Sequence, residues 1–128
     1  MTYNELSGLI LEVAIDIHRR LGPGLLESVY QAILAHELAK RGMNVQKEIP
    51  VPLVWDNLRF DVGFRVDLIS NEMILIELKC VEMVSVAHKK QMLTYLRITG
   101  KKLGLLINFG EATLKDGFSR IINGALEG

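Results

Sequence analysis

The chain has 128 residues and a mass of 14.4 kDa, the size of one folded unit, so we expect residues 1–128 to form a single domain. Hydrophobic residues make up 49% and charged residues 23%, a composition that argues against an intrinsically disordered chain. Basic and acidic residues number 15 each, and this balance excludes a wholly basic nucleic-acid binder but not a local basic patch.

Two helices are predicted in the first third of the chain. Thr2 and Glu5 have the spacing of a capping box, and apolar residues then recur every three or four positions. Gly22-Pro23-Gly24 ends this helix. A second helical pattern runs from about residue 25 to residue 41, and Gly42 is placed to end it.

Alternating patterns follow from residue 45. Val45–Trp55 predicts a strand, and Pro50 and Pro52 place it at a sheet edge because proline cannot donate to a ladder. Residues 58–68 alternate so regularly that we expect an antiparallel strand with one buried face. The residues expected on that face are Leu58, Phe60, Val62, Phe64, Val66 and Leu68. Residues 73–81 are apolar enough for a central strand.

The remaining elements complete a mixed α/β domain. Residues 84–98 predict a third helix, and residues 103–109 predict a buried strand that runs parallel to its neighbour. The tail from 113 to 126 is open between a helix and a short strand at 118–122. The order α-α-β-β-β-α-β plus tail predicts a mixed sheet of four strands, or slightly more, flanked by helices.

The location of the protein in the cell is predicted from the absence of a membrane span and of a signal peptide in the sequence. No apolar run approaches the roughly 18 residues of a membrane span, and MTYNELSG lacks the basic and apolar regions of a signal peptide. Cys80 is the one cysteine, which excludes an internal disulfide and a multi-cysteine zinc site. We therefore expect a cytoplasmic protein that does not enter a membrane.

Charged residues interrupt the most apolar predicted strand. Asp67 and Glu77 are equidistant from residue 72, in the expected turn, so a hairpin makes them cross-strand neighbours. Opposed carboxylates repel, and a cation between them removes the repulsion. Lys79 projects from the same face as Glu77. The alternative is a strand-end Asp67 and a surface ion pair of Glu77 with Lys79, although charges in such a strand are rarely buried unless they are paired or bind metal.

The second helix contributes one more candidate acid. Glu27 lies at the edge of the apolar arc and has no base three or four residues later, whereas Glu37 has Arg41 as a partner one turn on. Glu27 is therefore a candidate functional residue, with an ordinary first-turn acid as the alternative.

The third helix carries a polar stripe of His88, Gln91 and Tyr95. Gln91 and Tyr95 could reach the acidic cluster from the face that packs on the sheet. For His88 the alternative is a core histidine with a satisfied hydrogen bond.

These residues fall into two motifs of a known family. They are Gly24, Glu27 and Tyr30 of a GxxExxY pattern, and Asp67, Glu77 and Lys79 of a D…ExK pattern. With Gln91, Tyr95 and the element order, the chain resembles the GxxExxY family of the PD-(D/E)XK nuclease superfamily from its first helix to its C-terminal tail. Val66 stands where the superfamily's name has proline, a position that binds nothing.

The resemblance implies a restriction-endonuclease-like core and a nuclease that hydrolyses phosphodiester bonds of DNA or RNA with metal-activated water. It implies Mg²⁺, with Mn²⁺ as a substitute, held by the carboxylates of Glu27, Asp67 and Glu77; hard oxygen ligands suit this ion. Lys79 would orient or deprotonate the water, or stabilise the transition state. The residues implied to support these ligands or to position the substrate are Gln91, Tyr95, Tyr30 and His88.

Other functions stay open at this point. A non-catalytic nucleic-acid or protein-interaction module could keep the same fold, although the intact set of motif residues counts against it. A toxin or accessory subunit that needs a partner protein, and a homodimer, are also open. Phosphate contacts could come from basic residues that otherwise form solvated surface, namely Lys89, Lys90, Lys101, Lys102, Lys115 and Arg120.

Overall fold

The computed structural model describes residues 1–126, which form three helices and five strands. The helices are α1 (Tyr3–Leu21), α2 (Glu27–Lys40) and α3 (Val86–Thr99), and the strands are β1 (Val45–Trp55), β2 (Leu58–Ser70), β3 (Ile74–Lys79), β4 (Leu103–Asn108) and β5 (Phe118–Ile122). The tail left open by the sequence is thus a strand. Of these helices, none combines the length and the hydrophobicity that a membrane span requires.

Local signals set the helix ends. The capping box of Thr2 and Glu5 is formed at α1, and the helix ends at Gly22, whose φ of 72° suits glycine. α2 begins two residues later than predicted, because Leu26 is extended and serves as its N-cap without a side-chain hydrogen bond. Gly42 follows α2 with a φ of 84°, as expected of a residue that ends a helix.

The strands form one mixed sheet in the order β1-β2-β3-β4-β5. β3 and β4 are parallel, and the other neighbouring pairs are antiparallel. The edge position of β1, the central position of β3 and the parallel, fully buried β4 are all confirmed. The expected helix-flanked mixed α/β architecture is therefore correct.

Hydrophobic clusters cover both faces of the sheet. On one face, α1 and α2 pack against alternate residues of β3 such as Ile76 and Leu78. On the other face, Met92 and Leu96 of α3 pack against Leu75 and its neighbours. The layers are therefore two helices, the sheet and one helix, each burying an apolar surface that would otherwise contact water.

One prediction about β2 is wrong. At the inner end of β2, Val66 packs in the cluster with α3 whereas Leu68 packs in the cluster with α1 and α2, so the expected residues do not share one face. The burial expected over residues 58–68 also fails in the first half, where Leu58, Phe60 and Val62 are 58%, 49% and 46% exposed. The reason is that β2 pairs with β3 only over residues 68–70. The first half of β2 instead forms a two-stranded ribbon with β1, which projects beyond the rest of the sheet.

Gly110 tests the packing of the loops after β3 and β4, and Gly8 in α1 serves as its control. A Cβ at Gly110 would overlap backbone atoms of Val81, whereas a Cβ at Gly8 in α1 has no heavy atom within 4 Å. We expect Gly110→Ala to lower the free energy of unfolding by about 1–3 kcal/mol, and Gly8→Ala to raise it by about 0.5–1 kcal/mol. Urea denaturation measures both changes, and a Gly110→Ala protein as stable as the wild type would contradict this close packing.

Candidate active site

The candidate site is centred on the point where β2 and β3 separate. Their ladder pairs residues 68–70 with residues 74–76, and the next position in this register brings Asp67 opposite Glu77. This is the register that the sequence predicted. The backbone ladder stops there, and side-chain carboxylates take its place.

Each of the two carboxylates accepts a hydrogen bond from the backbone of the other strand. The Asp67 N–H donates to Oε1 of Glu77 at 3.2 Å, and the Leu78 N–H donates to Oδ2 of Asp67 at 2.9 Å. Backbone donors in this partly buried position need such acceptors once the strands diverge. The two acids are thus held by the fold itself.

Electrostatics in this pair disfavour two negative charges. Glu77 is only 7% exposed. Burial, and after it the negative charge of Asp67, raise the pKa of Glu77 to about 8. Protonation of Glu77 would relieve the repulsion between the two carboxylates, as would the binding of a cation.

Glu27 and Lys79 lie at element ends beside this pair. Partial desolvation, and after it the charge of Asp67, raise the pKa of Glu27, while the charge of Lys79 opposes this rise. Lys79 ends β3 and is half-buried. The four ion pairs in residues 1–126 lie elsewhere, so the surface pair of Glu77 with Lys79 left open by the sequence is not formed.

The donor set suits a hard cation but is incomplete in this conformation. Among residues 1–126, no three His, Cys, Asp or Glu side chains are grouped closely enough to hold a metal ion. The structure thus brings together two of the three predicted ligands, Asp67 and Glu77, with Glu27 farther away. One oxygen of each paired carboxylate accepts a backbone N–H, which leaves the other oxygen to ligate an ion such as Mg²⁺.

Tyr30 fixes the loop that precedes α2. Its side chain is fully buried, its hydroxyl donates to the Gly22 carbonyl, and that hydroxyl accepts the N–H of Leu25 at 3.2 Å. Its ring stacks on Phe109 with centroids 4.4 Å apart. Tyr30 therefore has no surface for a substrate and instead positions the first turn of α2, which carries Glu27.

Asn108 is a positioning residue that the sequence analysis missed. It is fully buried at the end of β4, beside Lys79 in the parallel register. Its Oδ1 accepts the N–H groups of Val81 and Gly110, each at 3.0 Å, and its Nδ2 donates to the Val81 carbonyl at 2.9 Å. Asn108 is the one polar side chain of an otherwise apolar strand, and this signal could have identified it.

His88 belongs to the start of α3, which begins two residues later than predicted. Its Nδ1 accepts the Ser85 N–H at 3.1 Å, and its own N–H donates to the Ser85 hydroxyl at 3.3 Å. This reciprocal pair is a capping box. His88 is half-buried and is therefore not the core histidine of the alternative reading.

Tyr95 of α3 lies near enough to the acids to be affected by their charges. Its ring stacks on Phe64 of β2 with centroids 3.9 Å apart. Burial, followed by the negative charges of the paired carboxylates, raises the pKa of its hydroxyl. Gln91 lies about one turn earlier and is exposed.

Three of the basic residues predicted to contact phosphates are engaged elsewhere. Lys101 and Lys102 precede β4, at the opposite end of that strand from Asn108, and they donate to backbone carbonyls. Arg120 on β5 donates to the side chain of Asn4 at 2.9 Å. Lys89 and Lys90 are exposed near the start of α3.

Comparison with models of protein families identifies the class of this chain. A family model for the PD-(D/E)XK nuclease superfamily matches residues 4–121, so the chain belongs to that superfamily. Its five-stranded mixed sheet with flanking helices is a restriction-endonuclease-like α/β fold. Searches of curated proteins and of solved structures found no match.

Tyr30→Phe tests the anchoring of the α1–α2 loop. The variant keeps the stack on Phe109 but leaves the Gly22 carbonyl and the Leu25 N–H without the hydroxyl. We expect the free energy of unfolding to fall by about 1–2 kcal/mol. Tyr3→Phe is the control, since no hydrogen bond of the Tyr3 hydroxyl occurs within residues 1–126. Equal stabilities of the two variants in urea would contradict the anchoring role.

The pKa of Glu77 predicts how stability varies with pH in EDTA. Because the folded-state pKa is raised from 4.5 to about 8, the folded protein binds more protons than the unfolded chain in that range. The free energy of unfolding should therefore fall as pH rises from 4.5 to 8, by at most about 1.4 kcal/mol per pH unit for one proton.

Glu77→Gln removes this dependence, so its advantage over the wild type should grow across the same range and level off above it. Glu37→Gln is a control of opposite sign, because hydrogen bonding to Arg41 holds the pKa of Glu37 below its usual range. Denaturant unfolding at several pH values measures both effects. A constant difference between Glu77→Gln and wild type would contradict the raised pKa.

Proposed function

We propose that the protein is a Mg²⁺-dependent nuclease that hydrolyses phosphodiester bonds of DNA or RNA. In this proposal Asp67, Glu77 and Glu27 hold the metal, Mn²⁺ can replace Mg²⁺, and Lys79 acts on the attacking water. Membership of the nuclease superfamily supports the reaction class. The narrower assignment to the GxxExxY family is supported by Gly24, Glu27 and Tyr30 on the segment that starts α2.

The contact between Asp67 and Glu77 is the observation that carries the proposal. Two acids meet in a largely buried position, and no ion pair in the described chain neutralises either of them. Such a placement costs stability in a purely structural role. It is useful where a divalent cation must be bound through oxygen ligands.

The remaining residues then have distinct roles. Bound Mg²⁺ would stabilise negative charge that develops on the phosphoryl oxygens and would lower the pKa of a bound water. Lys79 provides an ammonium on a rigid strand end, where it can orient the water or stabilise the transition state as a point charge. In this proposal Tyr95 and Gln91 of α3 contact the substrate.

A second candidate is a non-catalytic binding module with the same fold. The observation that favours it is the separation of Glu27 from the other two acids, which leaves no three-ligand cluster in residues 1–126. Under this alternative the paired acids would bind metal weakly or not at all, and no phosphodiester bond would be hydrolysed.

Two substitutions separate metal binding from catalysis. Lys79→Ala should reduce the rate of cleavage at least about 100-fold and leave Mn²⁺ binding nearly unchanged, since an ammonium cannot ligate a cation. Asp67→Asn should lose both. Lys40→Ala, at an exposed lysine at the end of α2, is the control and should match the wild type. Calorimetric Mn²⁺ titration and cleavage of single- and double-stranded DNA and RNA provide the two readouts.

Two outcomes would reject the proposal. A folded wild-type protein that cleaves none of these substrates with Mg²⁺ or Mn²⁺ would favour the binding module. Full activity in Lys79→Ala would show that the observed cleavage does not come from this site.

A further inference from the structure

The ribbon formed by β1 and β2 carries apolar cross-strand pairs along its length. Side chains that face each other across an antiparallel pair share a face, and alternation repeats this every second residue. From the sheet outward these pairs are Ile49–Val66, Val51–Phe64, Leu53–Phe60 and Trp55–Leu58, and the register shifts between Val51 and Leu53. The two inner pairs pack against α3. The two outer pairs extend beyond it.

The outer pairs form an exposed apolar surface, which we call the tip patch: Leu53, Trp55, Leu58 and Phe60. Their exposed fractions are 37%, 71%, 58% and 49%. A two-stranded ribbon by itself is at best marginally stable in water, and a contiguous exposed apolar patch marks an interaction surface. The apolar alternation thus continues past the point where this chain can cover it.

We propose that the tip patch packs against the tip patch of a second copy of this chain, forming a dimer with two-fold symmetry. In such an interface the same surface is used on both subunits, so it must be complementary to itself. This inference does not depend on the proposed nuclease activity.

Charge favours a second copy over a nucleic acid as the occupant. The charged residues of the ribbon between positions 49 and 66 are Asp56, Arg59, Asp61 and Arg65. Their formal charges sum to zero, and Arg59 donates a hydrogen bond to Asp61 at 3.2 Å. A neutral surface offers a polyanion no net attraction, whereas two copies of it meet without net repulsion.

The area and the free strand edge also suit a dimer. Two aromatic and two leucine side chains at these exposures supply about half of the roughly 800 Å² per partner in a standard interface. Val62, two residues after Phe60 on β2, is 46% exposed and can extend it. β1 is the edge strand, and beyond Pro52 no proline blocks its outer edge from pairing with the same strand of a partner.

Trp55 provides a direct test because it is the single tryptophan of the chain. Analytical ultracentrifugation of metal-free protein over a concentration series gives the mass, and Trp55 emission and acrylamide quenching report the exposure of the tip patch. We expect the mass to rise from 14.4 kDa towards twice that value. The emission should shift to shorter wavelength, and quenching should fall, over the same concentrations.

Substitutions locate the interface. Phe60→Thr, and separately Leu58→Thr, should raise the dissociation constant about tenfold or more while the fold, checked by circular dichroism and urea denaturation, persists. Ile122→Thr on β5, at a strand residue that is 45% exposed, is the matched control and should dimerise like the wild type.

Three results would overturn the proposal. The wild type could remain a monomer at high micromolar concentration. The folded Phe60→Thr and Leu58→Thr variants could dimerise as tightly as wild type, which would place the interface elsewhere. Trp55 could become protected only when an oligonucleotide is added, which would identify the ribbon as a nucleic-acid-binding arm instead.

Discussion

The contact between Asp67 and Glu77 is the constraint on which the rest of the site depends. It occurs where β2 separates from β3. Each carboxylate there accepts a hydrogen bond from a backbone N–H that has no partner in the β-ladder. The two side chains therefore affect both the hydrogen bonding of the backbone and the electrostatics of the site. They terminate the strand pairing cleanly, and they bring two acids together in a place that disfavours two negative charges.

The surroundings of this pair are held by buried hydrogen bonds rather than by flexible loops. Tyr30 secures the turn before α2, and Asn108 joins the segment after β3 to the segment after β4. The Tyr30–Phe109 stack links these two anchors. Because the candidate groups Glu27 and Lys79 lie directly beside anchored backbone, their positions are set by the core and not by local propensity.

Much of this arrangement follows from the sequence in physical terms. Helical and alternating periodicity located nearly all the elements, and the equal spacing of Asp67 and Glu77 about residue 72 gave the hairpin register. The alternation in β2 was less informative, because it reports an amphipathic strand without showing what covers the apolar face. Likewise, a helical wheel gives the angular position of Glu27 around the axis of α2. It cannot show the distance between Glu27 and acids on another element. The five-residue β5 was ambiguous because a short segment becomes a strand through pairing with β4.

The measurement that tests the central claim most directly is the unfolding of wild-type and Glu77→Gln protein with EDTA and with saturating Mg²⁺. If the paired carboxylates bind the ion, Mg²⁺ should raise the free energy of unfolding of the wild type, by about 2.7 kcal/mol at 100 times the dissociation constant. The Glu77→Gln protein, which lacks one ligand, should gain little. Equal changes in the two proteins, or none in either, would contradict the assignment of Asp67 and Glu77 as a metal site.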